Sequence, residues 1–277
     1  MTESASLHRQ LERIAAALER QYPAAAPADP PPPSRALVWQ GAAGFRTVRR
    51  LEPADPALLV GMDRQKALFY ENMQRFARDA PAHDTLLWGE RGTGKSTLVR
   101  SLLVAVAEPA LALLAVPEAH LSDLPHILDG LDGDPRRWVL FCDDLSFAET
   151  GDRYKEFKVL LEGGLEARPA NTLVVATSNR RHLVPEAFAG AAEIHPEEAV
   201  AEAISLADRF GLSLGFYPFP QDQYLEAVET HLIALGCTPL PAQWQTEALR
   251  WAMARGIRSG RSAEQAAREL AGRQAQP

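Results

Sequence analysis

Residues 89–96, Gly89-Glu90-Arg91-Gly92-Thr93-Gly94-Lys95-Ser96, satisfy the pattern G-x-x-x-x-G-K-[ST]. They join an apolar strand-like run, "TLLWG" (85–89), to a helix-like run, the setting that a phosphate-binding loop requires. Each residue type has a reason to be there. Glycines let backbone amides turn inward on phosphates, and the start of the following helix offers unpaired N–H groups. Lys95 would offset the charge of β and γ oxygens, and the Ser96 hydroxyl would ligate Mg²⁺. Thr97 continues the loop into the helix and is expected on the nucleotide with Glu90, Arg91 and Thr93. Only four of the 29 basic residues are lysines (Lys66, Lys95, Lys155, Lys158), so a lysine inside this motif stands out from the background. The competing reading is a flexible glycine-rich turn.

A phosphate-binding loop alone does not choose between kinases, GTPases and motor ATPases. The next carboxylates narrow the choice. "RWVLFCDDLSF" is an apolar run ending in Asp143-Asp144. In such a protein the strand-end aspartate, here Asp143, holds Mg²⁺, and a second acid beside it, Asp144, can orient and deprotonate the attacking water. Standing alone, the pair would read as an acidic loop. The guanine-reading N-K-x-D is missing from the sequence, which disfavours a GTPase.

Five apolar runs punctuate the chain from about Ala36: 85–89, 111–117, 138–144, 171–179 and 212–218. Helix-length segments separate them, which predicts crossover connections and a mostly parallel sheet covered on both faces. An α/β domain is therefore expected over 36–220. The tail, 221–277, reads as a small all-helical domain. Leu225, Val228, Leu232 and Leu235 share a helical face in 221–236, a second helix opens with Pro241 and stops at Gly256, and Ser262 with Gln265 has the spacing of a capping box for a third. At the other end, Leu7, Leu11, Ile14, Leu18 and Tyr22 form the apolar face of a predicted amphipathic helix over 1–22. It would either pack on the body or dock a partner. The proline-rich stretch that follows, 23–35, lacks amide donors and favours extended conformations, so it reads as a tether.

A formal net charge of −7 argues against a nucleic-acid binder working through overall positive potential. Local contact would fall to Arg46, Arg49 and Arg50 in "RTVRR" or to Arg180, Arg181 and His182 in "NRRH", although runs of this length are commonly solvated faces. The two cysteines, Cys142 and Cys237, cannot build a disulfide framework or a multi-cysteine metal site and read as buried thiols. His182 and His195 have no second metal ligand at useful spacing and read as structural. No run approaches the roughly 20 apolar residues of a bilayer span, and the N-terminus lacks a signal-peptide core, so a cytoplasmic protein without membrane contact is expected.

Taken in order, these motifs resemble those of AAA+ ATPases. "LVVATSNRRHL" is similar to the sensor-1 strand, which implies that Asn179 lines up water and γ-phosphate. "SLADRFGLSLGF" resembles the segment carrying the arginine finger, here Arg209, which would complete a neighbouring subunit's site. "IRSGRSAEQAA" resembles the sensor-2 helix start of the lid, with Arg261 as first choice and Arg258 as second. "LLVGMDRQKAL" resembles the segment that packs on adenine through Val60 and Gly61. "CDDLSF", "LLEGGLEARPANTLVVATSNRRHLVPE", "SLADRFGL" and "RSGRSA" together resemble one bacterial AAA+ family known only as a domain of unknown function, family eight-fifteen, over roughly 36–272. The resemblance implies a P-loop NTPase fold with ATP and Mg²⁺ as ligands, ATPase activity and a homo-oligomer acting on a protein client that it does not name. Most AAA+ ATPases end this strand in Asp-Glu, whereas this chain has Asp143-Asp144, an Asp-Asp pair that helicase loaders and transposition helper ATPases share. The shorter Asp144 would hold water less well and slow hydrolysis. Two readings follow: an ATP-driven switch or remodeller, and an ATP-dependent scaffold or loader that hydrolyses rarely. A small-molecule kinase would have no need of the helical tail with Arg261.

Overall fold

A computed structural model describes residues 29–50, 54–145, Phe157, Leu161, 167–179 and 207–274. The predicted N-terminal helix and the first part of the tether lie outside these residues, as do Arg180, Arg181, His182 and His195. The described residues contain a seven-stranded sheet. In chain order its strands are β1 (Ala36–Trp39), β2 (Phe45–Thr47), β3 (Thr85–Gly89), β4 (Leu111–Ala115), β5 (Arg137–Cys142), β6 (Thr172–Ser178) and β7 (Leu212–Phe216). They lie side by side as β2-β1-β4-β5-β6-β3-β7. Only β2 runs antiparallel, turning back on β1; the other neighbours pair in parallel. The five predicted runs are β3 to β7, with bounds that differ by at most two residues at either end.

Alternate side chains of one strand enter opposite cores, as the two-residue period of a strand requires. Leu86, Leu140 and Val174 join a cluster covered by α4 (Leu124–Leu131) through Leu124, Ile127, Leu128 and Leu131. Leu87, Val139 and Val175 join the other cluster. There α1 (Asp63–Ala77) contributes Phe69, Met73 and Phe76, whose spacing of four then three gives the helix its apolar stripe. Two short helices, α2 (Lys95–Arg100) and α3 (Leu102–Ala105), complete that layer with Leu98, Val99 and Leu102. The parallel strands β3, β5 and β6 all end at one edge of the sheet, where Gly89, Asp143 and Asn179 meet.

The C-terminal helices α5 (Gln221–Ala234), α6 (Trp244–Arg255) and α7 (Gly260–Gln274) share a separate apolar cluster of Tyr224, Val228, Leu232, Trp244, Ala248, Ala263, Ala267 and Leu270. Three details differ from the sequence pattern. Leu235 is half exposed, and Tyr224 and Ala227 take the buried face with Val228 and Leu232. Helix α6 begins at Trp244 because Gln243 adopts a left-handed φ of 57°, so Pro241 lies before the helix; Gly256, also left-handed, ends it as expected. Helix α7 starts at Gly260, ahead of Ser262. The buried Ser259 hydroxyl accepts from the Ser262 amide at 3.2 Å, while the Ser262 hydroxyl donates to the Ile257 carbonyl at 3.3 Å, so Ser259 is the cap.

The approach to β3 is fixed by one buried amide. The Asn72 Nδ2 group on α1 donates to the carbonyl of His83 at 2.8 Å and to Thr85 Oγ1 at 3.2 Å, and its Oδ1 accepts from the His83 amide at 3.0 Å. Asn72→Leu would leave the His83 amide without its acceptor and the His83 carbonyl with only Thr85 Oγ1 as a donor, so urea unfolding should show a loss of about 1–3 kcal/mol. A midpoint and slope equal to the parent's would refute this role.

Candidate nucleotide-binding site

The loop between β3 and α2 is shaped by close backbone contact. Gly89 has φ 131°, and a Cβ there would stand 1.9 Å from the Phe216 carbonyl oxygen. That oxygen accepts from the Glu90 amide at 3.1 Å, pinning the loop to the last strand. Gly94, at φ 103°, precedes α2 in a left-handed turn whose Cβ would meet Met62 at 2.7 Å. The Thr93 hydroxyl closes the loop on the Glu90 carbonyl at 2.7 Å.

Lys95 is buried. Its ammonium donates to the carbonyls of Gly89 (2.7 Å) and Glu90 (2.8 Å) and to Asn179 Oδ1 (3.2 Å). Burial pulls its pKa down to about 8, against the opposing pull of the Asp144, Asp143 and Glu90 carboxylates; Arg91 adds to the depression.

The carboxylates lie opposite. Ser96 Oγ donates to Asp143 Oδ1 at 2.6 Å. Thr177 Oγ1 donates to the same oxygen at 2.6 Å and accepts from the Asp144 amide at 2.8 Å. Asn179 Nδ2 donates to Asp144 Oδ1, so one amide side chain touches both Lys95 and Asp144. Asp144 takes φ 55°, a left-handed conformation that costs most residues about 1–2 kcal/mol and that aspartate tolerates better than glutamate. A hydroxyl and a carboxylate in contact form a hard oxygen donor set that fits Mg²⁺, an ion that keeps several waters and asks for few protein ligands.

A cleft of about 830 Å³ opens over these groups. Of the residues singled out in the sequence, Val60, Arg91, Gly92, Thr93, Gly94, Lys95, Ser96, Thr97, Asp143, Asp144, Asn179 and Arg261 line it. Gly89 and Glu90 lie beneath, offering carbonyls to Lys95. Gly61 is turned away, its carbonyl accepting from Gln223 Nε2 on α5 at 2.6 Å. The first turn of α7 meets the loop where the Arg261 amide donates to the Gly92 carbonyl at 3.0 Å. Arg258 gives its carbonyl to the Phe219 amide at 2.9 Å, and of these two arginines Arg261 lines the cleft. Arg209 is exposed before β7 and outside the lining. Arg46, Arg49 and Arg50 are exposed in and after edge strand β2.

Several lining residues escaped the sequence pattern. Thr177 reads as an ordinary β-former inside an apolar run. Phe219 and His231 carry no motif, Leu235 reads only as part of a helical face, and all three enter because α5 folds over the loop. Burial holds the His231 pKa below the usual histidine range, with Glu264 opposing and Arg268 adding to the shift. Among the described residues no helix is long and apolar enough to cross a membrane.

Known structures share this architecture. A proline-to-glycine mutant of Thermotoga maritima RuvB matches at 17% identity over 76% of this chain and 62% of its own, with a TM-score of 0.50. The Aeropyrum pernix Orc1 protein, solved in complex with DNA, matches at 14% identity over 80% and 63%, also at 0.50. The T. maritima RuvB Holliday junction branch migration motor matches at 14% over 79% and 72%, with a TM-score of 0.47. No curated protein sequence matches the chain. The fold is the AAA+ P-loop NTPase fold. Residues 33–274, nearly the whole chain, match the family described as "Protein of unknown function (DUF815)", and the chain belongs to that family.

Proposed function

We propose that this protein binds Mg-ATP in the cleft and hydrolyses it to ADP and phosphate, as a cytoplasmic homo-oligomer in which Arg209 of one subunit completes the site of the next, to switch or remodel a protein client. The observation that carries the reading is the joint placement of Lys95, Ser96, Asp143, Asp144 and Asn179 around one loop whose glycines fit no side chain. Lys95 would exchange its carbonyl partners for β and γ oxygens. Ser96 and Asp143 would hold Mg²⁺, which when bound neutralises phosphate charge. Asp144 would accept the proton of the attacking water that Asn179 orients. Arg261 would reach the phosphates from the first turn of α7, and Val60 would pack on adenine.

A slower loader or scaffold is the second reading. Asp144 is one methylene shorter than the glutamate usual in AAA+ proteins, and its carboxylate is engaged by Asn179. The proximity of RuvB and Orc1 in fold bears on nucleic acid only as a question for Arg46, Arg49 and Arg50, whose replacement by alanine would show whether DNA affinity depends on them.

Four outcomes test the site. Lys95→Ala should weaken ATP binding by about 100-fold or more, since roughly 3 kcal/mol of charged hydrogen bonding is lost; unchanged calorimetric affinity in a folded variant would sink the assignment. With its pKa at about 8, Lys95 is protonated below that pH and neutral above it. Bound phosphates favour the charged form, so affinity should fall as pH rises past about 8, with proton uptake on binding that disappears in Lys95→Arg.

Asp144→Asn should retain Mg-ATP and lose turnover, whereas Asp143→Asn should lose the Mg²⁺ dependence of binding. Equal loss of binding in both would contradict this division. Arg209→Ala should bind ATP but turn over about 10³-fold more slowly. Mixed with Lys95→Ala it should regain activity, because the latter lends its arginine to the former's intact loop; mixed oligomers as inactive as either parent would rule out a shared site.

A further inference from the structure

We infer that Thr177 is a positioning residue that sets both aspartates of the site through one hydroxyl; the inference rests on the ATPase reading above. Thr177 is buried at the end of β6, one strand over from Asp143 and Asp144. Its Oγ1 donates its single proton to Asp143 Oδ1 at 2.6 Å, the same oxygen that Ser96 reaches at 2.6 Å. That oxygen thus has two hydroxyl donors, which fixes the rotation of the carboxylate. The lone pairs of Thr177 Oγ1 accept from the Asp144 amide at 2.8 Å. The Leu145 amide then donates to the Thr177 carbonyl at 2.8 Å.

These bonds bracket the residue that needs holding. Asp144 sits at φ 55°, and an unsupported chain would relax it out of the left-handed region. The hydroxyl and carbonyl of one residue grip the amides on either side of the Asp144 carbonyl, so the turn is fixed from β6 and not from β5 alone. Because Asn179 directly follows β6, two residues after Thr177, the two side chains lie on the same face of the chain and present their groups to the two aspartates as a unit. A valine in the same place would fill the space with a methyl group that neither donates nor accepts. Asp143 would then keep only Ser96 as a hydroxyl donor, and the Asp144 amide would lose its acceptor.

Three measurements test this on the full chain: ATPase kinetics as a function of Mg²⁺, calorimetric ATP binding without Mg²⁺, and amide exchange at Asp144 in ¹⁵N-aspartate-labelled protein. Thr177→Val should lower kcat by about 10- to 100-fold, raise the half-saturating Mg²⁺ concentration severalfold, and speed Asp144 amide exchange by about tenfold or more. Metal-free ATP affinity should stay within about twofold, since Lys95 and the loop amides are untouched. Thr177→Ser, which keeps the hydroxyl, should restore all three properties toward the parent. Thr177→Ala carries the same expectations as the valine variant if valine does not fold. A valine or alanine variant with parental kcat, Mg²⁺ dependence and amide exchange overturns the inference and leaves the ATPase reading standing, as does a serine variant as impaired as valine. A parent chain that neither binds nor hydrolyses ATP overturns both.

Discussion

The buried ammonium of Lys95 is the constraint on which the site depends. A charge out of water costs several kcal/mol unless its protons are all satisfied, and here three oxygens satisfy them: the carbonyls of Gly89 and Glu90 and the amide oxygen of Asn179. Those carbonyls can point at Lys95 only because the chain doubles back over the end of β3, which in turn requires that Gly89 lack a Cβ against Phe216. Burial still outweighs the three nearby carboxylates and holds the Lys95 pKa down at about 8. An incoming polyanion would supply what the carbonyls do not, so the same burial that lowers the pKa strengthens the attraction for phosphate in a region of low dielectric.

The sheet converts that local chemistry into a site. Six side chains that follow or end three separate strands, Lys95, Ser96, Asp143, Asp144, Thr177 and Asn179, must converge within hydrogen-bond reach, and parallel pairing achieves this by sending β3, β5 and β6 to one edge in register. Their interiors are held by two apolar clusters on opposite faces, so the positions of Gly89, Asp143 and Thr177 are set by the packing of Leu86, Leu87, Val139, Leu140, Val174 and Val175 behind them. A one-residue slip of β6 would turn Thr177 and Asn179 toward the other face and remove both from the aspartates.

Much of this was legible in the sequence, for identifiable reasons. The strands β3 to β7 are runs of Leu, Val and aromatic residues long enough to announce buried parallel strands, and the loop glycines with Lys95 and Ser96 have few physical alternatives. The hairpin of β1 and β2 was not legible, because four- and three-residue strands beside a proline-rich stretch have no periodicity to read. Ser259 lost to Ser262 as the expected cap because both are serines near the start of a helical run, and only the bond from the Ser262 amide, already inside α7, to the Ser259 hydroxyl separates them. Thr177 was invisible for a different reason: threonine is a favoured strand residue, so its type says nothing until the neighbouring strand brings two aspartates to its hydroxyl.

Among the described residues, several contacts of the C-terminal helices with the α/β part are informative. Gln223 bonds the Gly61 carbonyl, the Arg261 amide bonds the Gly92 carbonyl, Ser259 packs beside Gly92, and Val60 packs on the apolar cluster of α5, α6 and α7. Each of these contacts lands on Val60-Gly61 or on the phosphate loop, the two stretches expected to meet adenine and phosphate. The three helices have their own apolar core, so they move as a unit more readily than they deform. A ligand that draws the loop amides inward therefore acts on the Gly92 carbonyl and the lid together, and the orientation of Arg261 follows from the geometry of the loop it would help to read.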